Sequence, residues 1–265
     1  MSLSEPGGQL LVDEPAPGVA RLTISNPSKR GALDHAILEA LASTMPRLEA
    51  RCVIITGEEN TFSAGYDIGD LPDSISADEA ERLVANPVAP AFEAIEAYPY
   101  PTIAALNGHA IGAGLEIALA CDLRLAAGGI AVAMPPAKLG LVYSHSGIRK
   151  FIETIGAPRT RELFLVARRI DARIAREWGL VNAVAEPDQL VQEALRLASE
   201  IAANAPLSQQ GNKRAIRAVL DAHGELPLEV KRELDQLRLA GFSSEDFREG
   251  VRAFAEKRPP NWRGH

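Results

Sequence analysis

Two glycine-rich turns, about forty residues apart, constrain the fold of this chain more than any other feature. The first, residues 62–68, directly follows an apolar run at 52–57, and the second, residues 107–116, directly follows an apolar run at 102–106. Each pattern predicts a buried strand that ends in a tight turn and opens toward a helix. Such turns aim backbone N–H groups outward. Two N–H groups that converge on one oxygen form an oxyanion hole, which stabilises charge developing on a carbonyl oxygen.

Strand patterns dominate the first half of the chain, and amphipathic helical patterns dominate the second. We predict strands at 18–24, 51–56, 102–106, 123–127 and 130–133. We predict helices at 34–48, 79–97, 114–120, 147–155, 159–168, 171–178, 187–204, 206–221, 227–240 and 245–256, and a surface loop at 71–79. This order indicates a core over residues 1–200, followed by a helical region over 201–265 whose apolar stripes need a partner surface.

Composition narrows the class of protein. The chain has 265 residues and a net charge of −7, which argues against a nucleic-acid-binding role. Its two cysteines, Cys52 and Cys121, lie in apolar stretches and are expected to be buried thiols. Neither a signal peptide nor a run of eighteen apolar residues occurs, so we expect a cytoplasmic protein without a membrane partner. The spacing of Gly108, Gly112 and Gly114 does not give the dinucleotide-binding fingerprint.

Five segments together resemble the crotonase, or enoyl-CoA hydratase/isomerase, superfamily. They are residues 26–33, 62–68, 107–122, 135–147 and 254–258. The resemblance implies an α/β fold, a spiral of ββα units with a C-terminal helical trimerisation region. It further implies a homotrimer or a dimer of trimers, and an enzyme that binds an acyl-CoA substrate and stabilises a thioester enolate. Neither a metal nor another cofactor is expected.

The resemblance assigns roles to residues in both glycine-rich turns. The backbone N–H groups of Tyr66 and Ala113 match the oxyanion-hole donors of the family, and Glu116 matches its first catalytic glutamate. Many relatives carry glycine where this chain has Ala113. Alanine keeps the N–H group, so the donor is retained if the backbone φ at this position is negative.

Coenzyme A binding is also implied by the resemblance. Lys29 and Arg30 match basic residues near the coenzyme phosphates, and Lys257 matches a C-terminal lysine that reaches the coenzyme of a neighbouring subunit. Gly69 stands where some hydratases carry a lysine, which removes one phosphate contact. The backbone that would hold the adenine matches Ala64, Asp67 and Ile68.

The second catalytic position departs from the two-glutamate hydratases. Pro136 stands where those relatives carry their second glutamate, and proline has no proton to give or take. The stretch 136–148, which contains Tyr143, is similar to that of methylmalonyl-CoA decarboxylases. Three functions therefore stay open: hydration or isomerisation with Glu116 as the only matched carboxylate, decarboxylation supported by Tyr143, and acyl-CoA binding without catalysis.

Other polar residues have simpler interpretations. His109 and His145 are expected to be structural or exposed, and Asp122 to make a structural pair. Residues 71–97 are expected to line the acyl pocket. The basic residues of the late helix, Lys213, Arg214 and Arg217, are expected to form a solvated face.

Overall fold

The computed structural model describes residues 7–68, 86–223 and 227–263. The strands in these ranges are β1 (Gln9–Ala16), β2 (Val19–Ser25), β3 (Cys52–Gly57), β4 (Thr61–Ser63), β5 (Thr102–Leu106), β6 (His109–Ile111), β7 (Leu123–Ala127), β8 (Ala131–Ala133), β9 (Arg169–Asp171) and β10 (Ala183–Ala185). The helices are α1 (His35–Thr44), α2 (Asn86–Ala97), α3 (Ala113–Ala120), α4 (His145–Leu165), α5 (Ala172–Glu177), α6 (Leu190–Ala203), α7 (Pro206–His223), α8 (Leu228–Ser243) and α9 (Glu245–Ala255).

The strands form two sheets, and the chain passes repeatedly from one to the other. The larger sheet has the order β1-β2-β3-β5-β7-β10, antiparallel between β1 and β2 and parallel elsewhere. The smaller sheet has the order β4-β6-β8-β9. The pairs β3–β4, β5–β6 and β7–β8 each contribute one strand to each sheet, and a helix follows. This is the predicted spiral of ββα units.

Glycines mark the points where the chain leaves the larger sheet. A side chain at Gly57 would fall on the backbone of Thr61 and Phe62, and one at Gly108 would fall on the backbone of Asn60 and Thr61. Only a residue without Cβ allows the successive crossings to approach this closely. The two glycine-rich segments are therefore stacked directly on one another in the fold.

The core lies under the larger sheet and is filled by the apolar residues of its strands. Strand β3 is buried at every position, as expected for a parallel strand covered on both faces. Helix α6 packs across β2, β3, β5 and β7 and buries its apolar stripe there. Helices α7, α8 and α9 follow α6. The division into a core of 1–200 and a helical region of 201–265 stays a prediction.

Several elements differ from the sequence prediction. Strand β1 was not predicted, because Asp13, Glu14 and Pro15 interrupt the apolar alternation, yet it pairs with β2 from Gln9 onward. The two helices predicted at 147–155 and 159–168 are joined in α4 across a kink at Gly156. The loop predicted at 71–79 lies outside the described residues. Within the described ranges, no helix is both long enough and apolar enough to cross a membrane.

Candidate active site

A cleft of about 1210 Å³ runs between the ββα core and the C-terminal helices. Both glycine-rich turns and the first turn of α3 line it, and so do α2, α4, α7 and α8. Nearly all the residues that the sequence assigned to catalysis and coenzyme binding lie on its wall: Lys29, Arg30, Ala64, Tyr66, Asp67, Ile68, Ala113, Glu116 and Tyr143. Lys257 is exposed just after α9 and is not part of the wall.

The two glycine-rich turns meet at Gly65. This residue has a φ of +98°, and a Cβ there would lie 2.7 Å from the carbonyl oxygen of Ile111 and 3.6 Å from the backbone nitrogen of Ala113. Glycine thus provides both the left-handed conformation and the close approach. The hydroxyl of Ser63 accepts a hydrogen bond from the Gly65 N–H at 3.1 Å and donates to the carbonyl of Gly31 at 2.8 Å. The first turn is therefore fixed against the second.

Asn107 fastens the second turn to the segment that leads into the first. Its amide nitrogen donates to the carbonyls of Gly57 and Glu59, each at 2.9 Å, and its amide oxygen accepts from the N–H of Gly57 at 3.0 Å. The sequence showed Asn107 only as part of the glycine-rich motif. Its partners lie about fifty residues earlier in the chain, so their identity depends on the tertiary fold.

Ala113 is the first residue of α3, and its N–H belongs to the helical turn that has no intrahelical acceptors. Its φ is negative, so the alanine keeps the donor without backbone strain. Gly112 before it has a φ of +55° and turns the chain from β6 into the helix. Tyr66 lies directly after Gly65, on the other turn, and forms a β-bridge with Leu33.

Glu116 lies three residues after Ala113, on the same face of α3. The residue is only 6% exposed, and burial raises the pKa of its carboxyl group. The hydrogen bond from Tyr143 and the positive charges of Lys150 and Arg238 oppose this rise. The carboxyl group is thus held in a desolvated environment, which favours its neutral form more than water does.

The hydroxyl of Tyr143 donates a short hydrogen bond to Oε2 of Glu116. The tyrosine ring packs edge-on against Phe164, with ring centroids 5.4 Å apart. Burial and the neighbouring Glu116 raise the pKa of Tyr143 well above its ordinary value. Tyr143 therefore keeps its proton and directs it at the carboxyl group.

Pro136 is buried in a short 3₁₀ turn, Pro136–Lys138, and lines the cleft. The position that carries the second glutamate in two-glutamate relatives is therefore part of the site but bears no acid or base. Gly147, in the first turn of α4, leaves room for the Glu116–Tyr143 pair, because a Cβ there would lie 2.9 Å from Oε1 of Glu116.

At the coenzyme side, Lys29 pairs with Asp67, with Nζ and Oδ2 2.7 Å apart. Asp67 therefore holds this lysine beside the first turn. Arg30 has a left-handed backbone and makes no ion pair with any described residue. Gly69, where relatives carry a lysine, lies outside the described residues.

Charged residues that the sequence did not assign to the site line the cleft beside Glu116. Nζ of Lys150 contacts Glu96, and Arg217 lies 3.8 Å from the same carboxylate. Arg149 pairs with Asp221 at 2.9 Å. This set joins α2, α4 and α7.

The prediction of a solvated face was right for the exposed Arg214 and wrong for Lys213, whose side chain is only 14% exposed. The side chain of Arg217 is 41% exposed. Lys213 binds Asp122 at 2.6 Å and the carbonyl of Tyr100 at 3.0 Å, and Arg217 points into the cleft. The periodicity of α7 identified a charged face, but its partners lie on α2 and before β7. Asp122 makes the expected structural pair and also accepts from the N–H of Thr102 at 2.7 Å.

The two histidines have the structural roles expected of them. His109 is exposed at the cleft wall, where Nδ1 accepts from the N–H of Ala131 at 3.0 Å. His145 begins α4, is not part of the cleft wall, and lies 3.6 Å from Asp235. No cluster of potential metal ligands occurs within residues 7–68, 86–223 and 227–263.

Comparisons with known proteins identify the family of this chain. The model of the enoyl-CoA hydratase/isomerase family matches residues 14–265. A probable enoyl-CoA hydratase of Bacillus subtilis is 35% identical over 253 residues, which cover 93% of this chain and 95% of that protein. Methylmalonyl-CoA decarboxylase of Escherichia coli is 33% identical over 235 residues, covering 86% of this chain and 87% of that protein.

Solved structures give the same result for the fold. Methylmalonyl-CoA decarboxylase in complex with 2-nitronate-propionyl-CoA has a TM-score of 0.87 and 29% identity to this chain, and the match covers 97% of this chain and 98% of that one. Sequence and fold thus agree along nearly the whole length. The chain belongs to the enoyl-CoA hydratase/isomerase family of the crotonase superfamily.

Proposed function

We propose that this protein acts on an acyl-CoA thioester through an enolate intermediate, and that Glu116 is its single proton-transfer carboxyl group. The observation that carries the proposal is the buried Glu116–Tyr143 pair on the cleft wall, one helical turn after Ala113. A carboxyl group with a raised pKa changes protonation state closer to neutral pH, where acid–base catalysis is most effective.

The enolate oxygen would be bound by the backbone N–H groups of Tyr66 and Ala113. An enolate carries its negative charge on the thioester oxygen, and fixed N–H dipoles lower the barrier to its formation. The contact of Gly65 with Ile111 and Ala113 supports this assignment, because it brings the two donor-bearing turns together. Both donors lie on segments fixed by side-chain hydrogen bonds from Ser63 and Asn107.

With one matched carboxyl group, the first candidate reaction is the hydratase or isomerase reaction of the family. In an isomerisation, Glu116 takes a proton from C2, the electron pair moves into the enolate, and the same carboxyl group returns the proton at C4. In a hydration, Glu116 takes a proton from the water that adds at C3, the electron pair of the double bond moves into the enolate, and the same carboxyl group delivers that proton to C2. The hydratase relatives support this candidate.

Decarboxylation of a malonyl-type thioester is the second candidate, and the contact between Tyr143 and Glu116 favours it. The bond from C2 to the carboxylate would break, its electrons would form the enolate, and CO2 would leave. The pair would then supply one proton to C2, so no second carboxyl group at position 136 is needed. The decarboxylase relatives support this candidate.

The coenzyme would lie along the first turn. Lys29 and Arg30 would contact its phosphates, because both are cationic and line the cleft. The backbone of Ala64, Asp67 and Ile68 would hold the adenine. This scheme uses no metal or further cofactor.

We infer an assembly of trimers or paired trimers from the family. Exposed apolar residues on α7, such as Leu207 and Ile216, support it, since they are 83% and 62% exposed in the single chain. In such an assembly Lys257 would reach the coenzyme of a neighbouring subunit.

Mass spectrometry of thioesters after incubation with the purified protein tests the proposal. Crotonyl-CoA and methylmalonyl-CoA are offered side by side to the wild type, to Glu116→Gln and to Tyr143→Phe. Glu193→Gln is the matched control, because Glu193 is exposed on α6 and pairs only with Arg196 among the described residues. Addition of water indicates the first candidate, and loss of CO2 indicates the second. Unchanged turnover in Glu116→Gln would rule out its proton-transfer role.

Binding without turnover of any thioester would support the remaining reading, a non-catalytic acyl-CoA binder. Titrating each thioester to saturation in a calorimeter separates that outcome from a poor choice of acyl group. A binder would hold both thioesters equally in the wild type and in Glu116→Gln.

A further inference from the structure

The part of the cleft lined by α2, α4, α7 and α8 is unusually rich in charge for a site expected to hold an acyl chain. Three of its cations are neutralised by carboxylates. Lys150 contacts Glu96, Arg149 pairs with Glu153 and Asp221, and Arg217 approaches Glu96 and Asp221.

Arg238 is the cation that this network leaves without a partner. It lies on α8 and lines the same cleft, yet it forms no ion pair or side-chain hydrogen bond with any residue in the described part of the chain. Its side chain is half-buried. A guanidinium group that is partly removed from water without an anion has lost hydration without compensation, so an anionic ligand would bind there favourably.

Arg238 is also held in position. Its guanidinium carbon lies 5.6 Å from the centroid of the Phe242 ring, a cation–π distance. Phe242 is itself buried and packs edge-on against Phe247, with centroids 5.5 Å apart. The charge of Arg238 is close enough to Glu116 and Tyr143 to lower the pKa of both groups. The guanidinium group is therefore fixed near the reacting end of the cleft.

We propose that Arg238 determines specificity by binding a carboxylate on the substrate's acyl chain, so that the substrates are thioesters of dicarboxylic acids. The planar guanidinium group offers paired N–H donors that match a carboxylate. This inference rests on the proposed function, since it assumes that a CoA thioester occupies the cleft.

The carboxylate bound by Arg238 is one that the reaction retains. A guanidinium group stabilises a carboxylate ion and would raise the barrier to its departure as neutral CO2. If the enzyme decarboxylates its substrate, the departing carboxylate is therefore a different one.

Isothermal titration calorimetry with saturated thioesters tests the proposal without requiring turnover. Succinyl-CoA is compared with butyryl-CoA, glutaryl-CoA with pentanoyl-CoA, and adipyl-CoA with hexanoyl-CoA. The members of each pair have equal chain length and differ in the terminal carboxylate. We expect the wild type to bind at least one dicarboxylic thioester about 10- to 100-fold more tightly than its uncharged partner.

The variants Arg238→Gln and Arg238→Lys and the control Arg232→Gln are measured in the same way. Arg232 is exposed on the same helix and is not part of the cleft wall. Arg238→Gln should abolish the preference, Arg238→Lys should keep part of it, and Arg232→Gln should keep all of it. Affinity for free coenzyme A should be unchanged in all three, which verifies that the fold and the coenzyme site are intact.

The possible failures are distinguishable. If the wild type binds both members of every pair equally, or if Arg238→Gln keeps the preference, the role of Arg238 is overturned while the proposed function stands. If the wild type binds no thioester at all, the proposed function fails and this inference fails with it.

Discussion

Replacing Gly147 with alanine tests the geometry of the site with a single methyl group. The added Cβ would lie 2.6 Å from Cε1 of Tyr143, 2.9 Å from Oε1 of Glu116 and 2.9 Å from Oγ of Ser144. Ser144 caps α4 by accepting from the Gly147 N–H at 3.1 Å, which fixes the backbone here. The methyl group must therefore displace the Glu116–Tyr143 pair.

Two opposing terms set the change in stability. Overpacking in a buried site costs about 1–3 kcal/mol, and alanine in a helix interior is favoured over glycine by about 1 kcal/mol. The net loss in free energy of unfolding at Gly147→Ala is thus about 0–2 kcal/mol, and the protein stays folded. A displacement of about 1 Å at the reacting groups costs about 100-fold in rate. We expect kcat to fall by that factor.

Gly211→Ala is the matched control, because Gly211 lies within α7 and a Cβ there would meet nothing within 4 Å. This variant should gain about 0.5–1 kcal/mol and keep full activity. Both variants are measured by urea denaturation and by turnover of the thioester identified by mass spectrometry. If Gly147→Ala kept the wild-type kcat, the contact between Tyr143 and Glu116 would have no role in the reaction.

Three further changes give separate readouts. Tyr143→Phe removes a hydrogen bond that lowers the pKa of Glu116. In a pH–rate profile, the limb due to this carboxyl group should therefore move to higher pH. Glu116→Gln should become progressively more stable than the wild type as pH rises, when both are followed by denaturation. The folded wild type binds the Glu116 proton more tightly than the unfolded chain does. Its free energy of unfolding therefore falls as the pH rises from the ordinary pKa of 4.5 to the raised pKa of the folded state. Asn107→Ala removes the five side-chain hydrogen bonds that tie the second turn to residues 56–61. It should lower the free energy of unfolding by about 2–4 kcal/mol and slow turnover, whereas Asn212→Ala on the exposed face of α7 should do neither.

Local patterns were sufficient to predict the elements on which the site is built. The run 102–106 is apolar apart from Thr102 and is followed by Asn107-Gly108, and it forms β5 with the predicted bounds. Residues 114–120 form most of α3, because the segment is largely apolar and its burial outweighs the low helix propensity of Gly114. In both segments the local pattern and the tertiary environment favour the same conformation.

The partners of the charged residues could not be predicted in the same way. Lys213 binds Asp122 across 91 residues of sequence, and a helical pattern shows only that a face is charged. Arg238 could not be predicted for a different reason. Its importance follows from the absence of a carboxylate partner among the described residues, and this becomes apparent only when each neighbouring ion pair is known.

The cleft has two walls that are built differently. Ala113 and Glu116 lie on one turn of α3, and that helix is anchored to the first glycine-rich turn through Gly114, where a Cβ would lie 2.6 Å from Cβ of Ser63. Changes here would disturb the proposed enolate site. The second wall, with Pro136 and Tyr143, comes from the short 3₁₀ turn and from the segment just before α4. The family resemblance therefore supports the proposed enolate intermediate, while we propose that the reaction and the acyl group depend on this second wall and on α8.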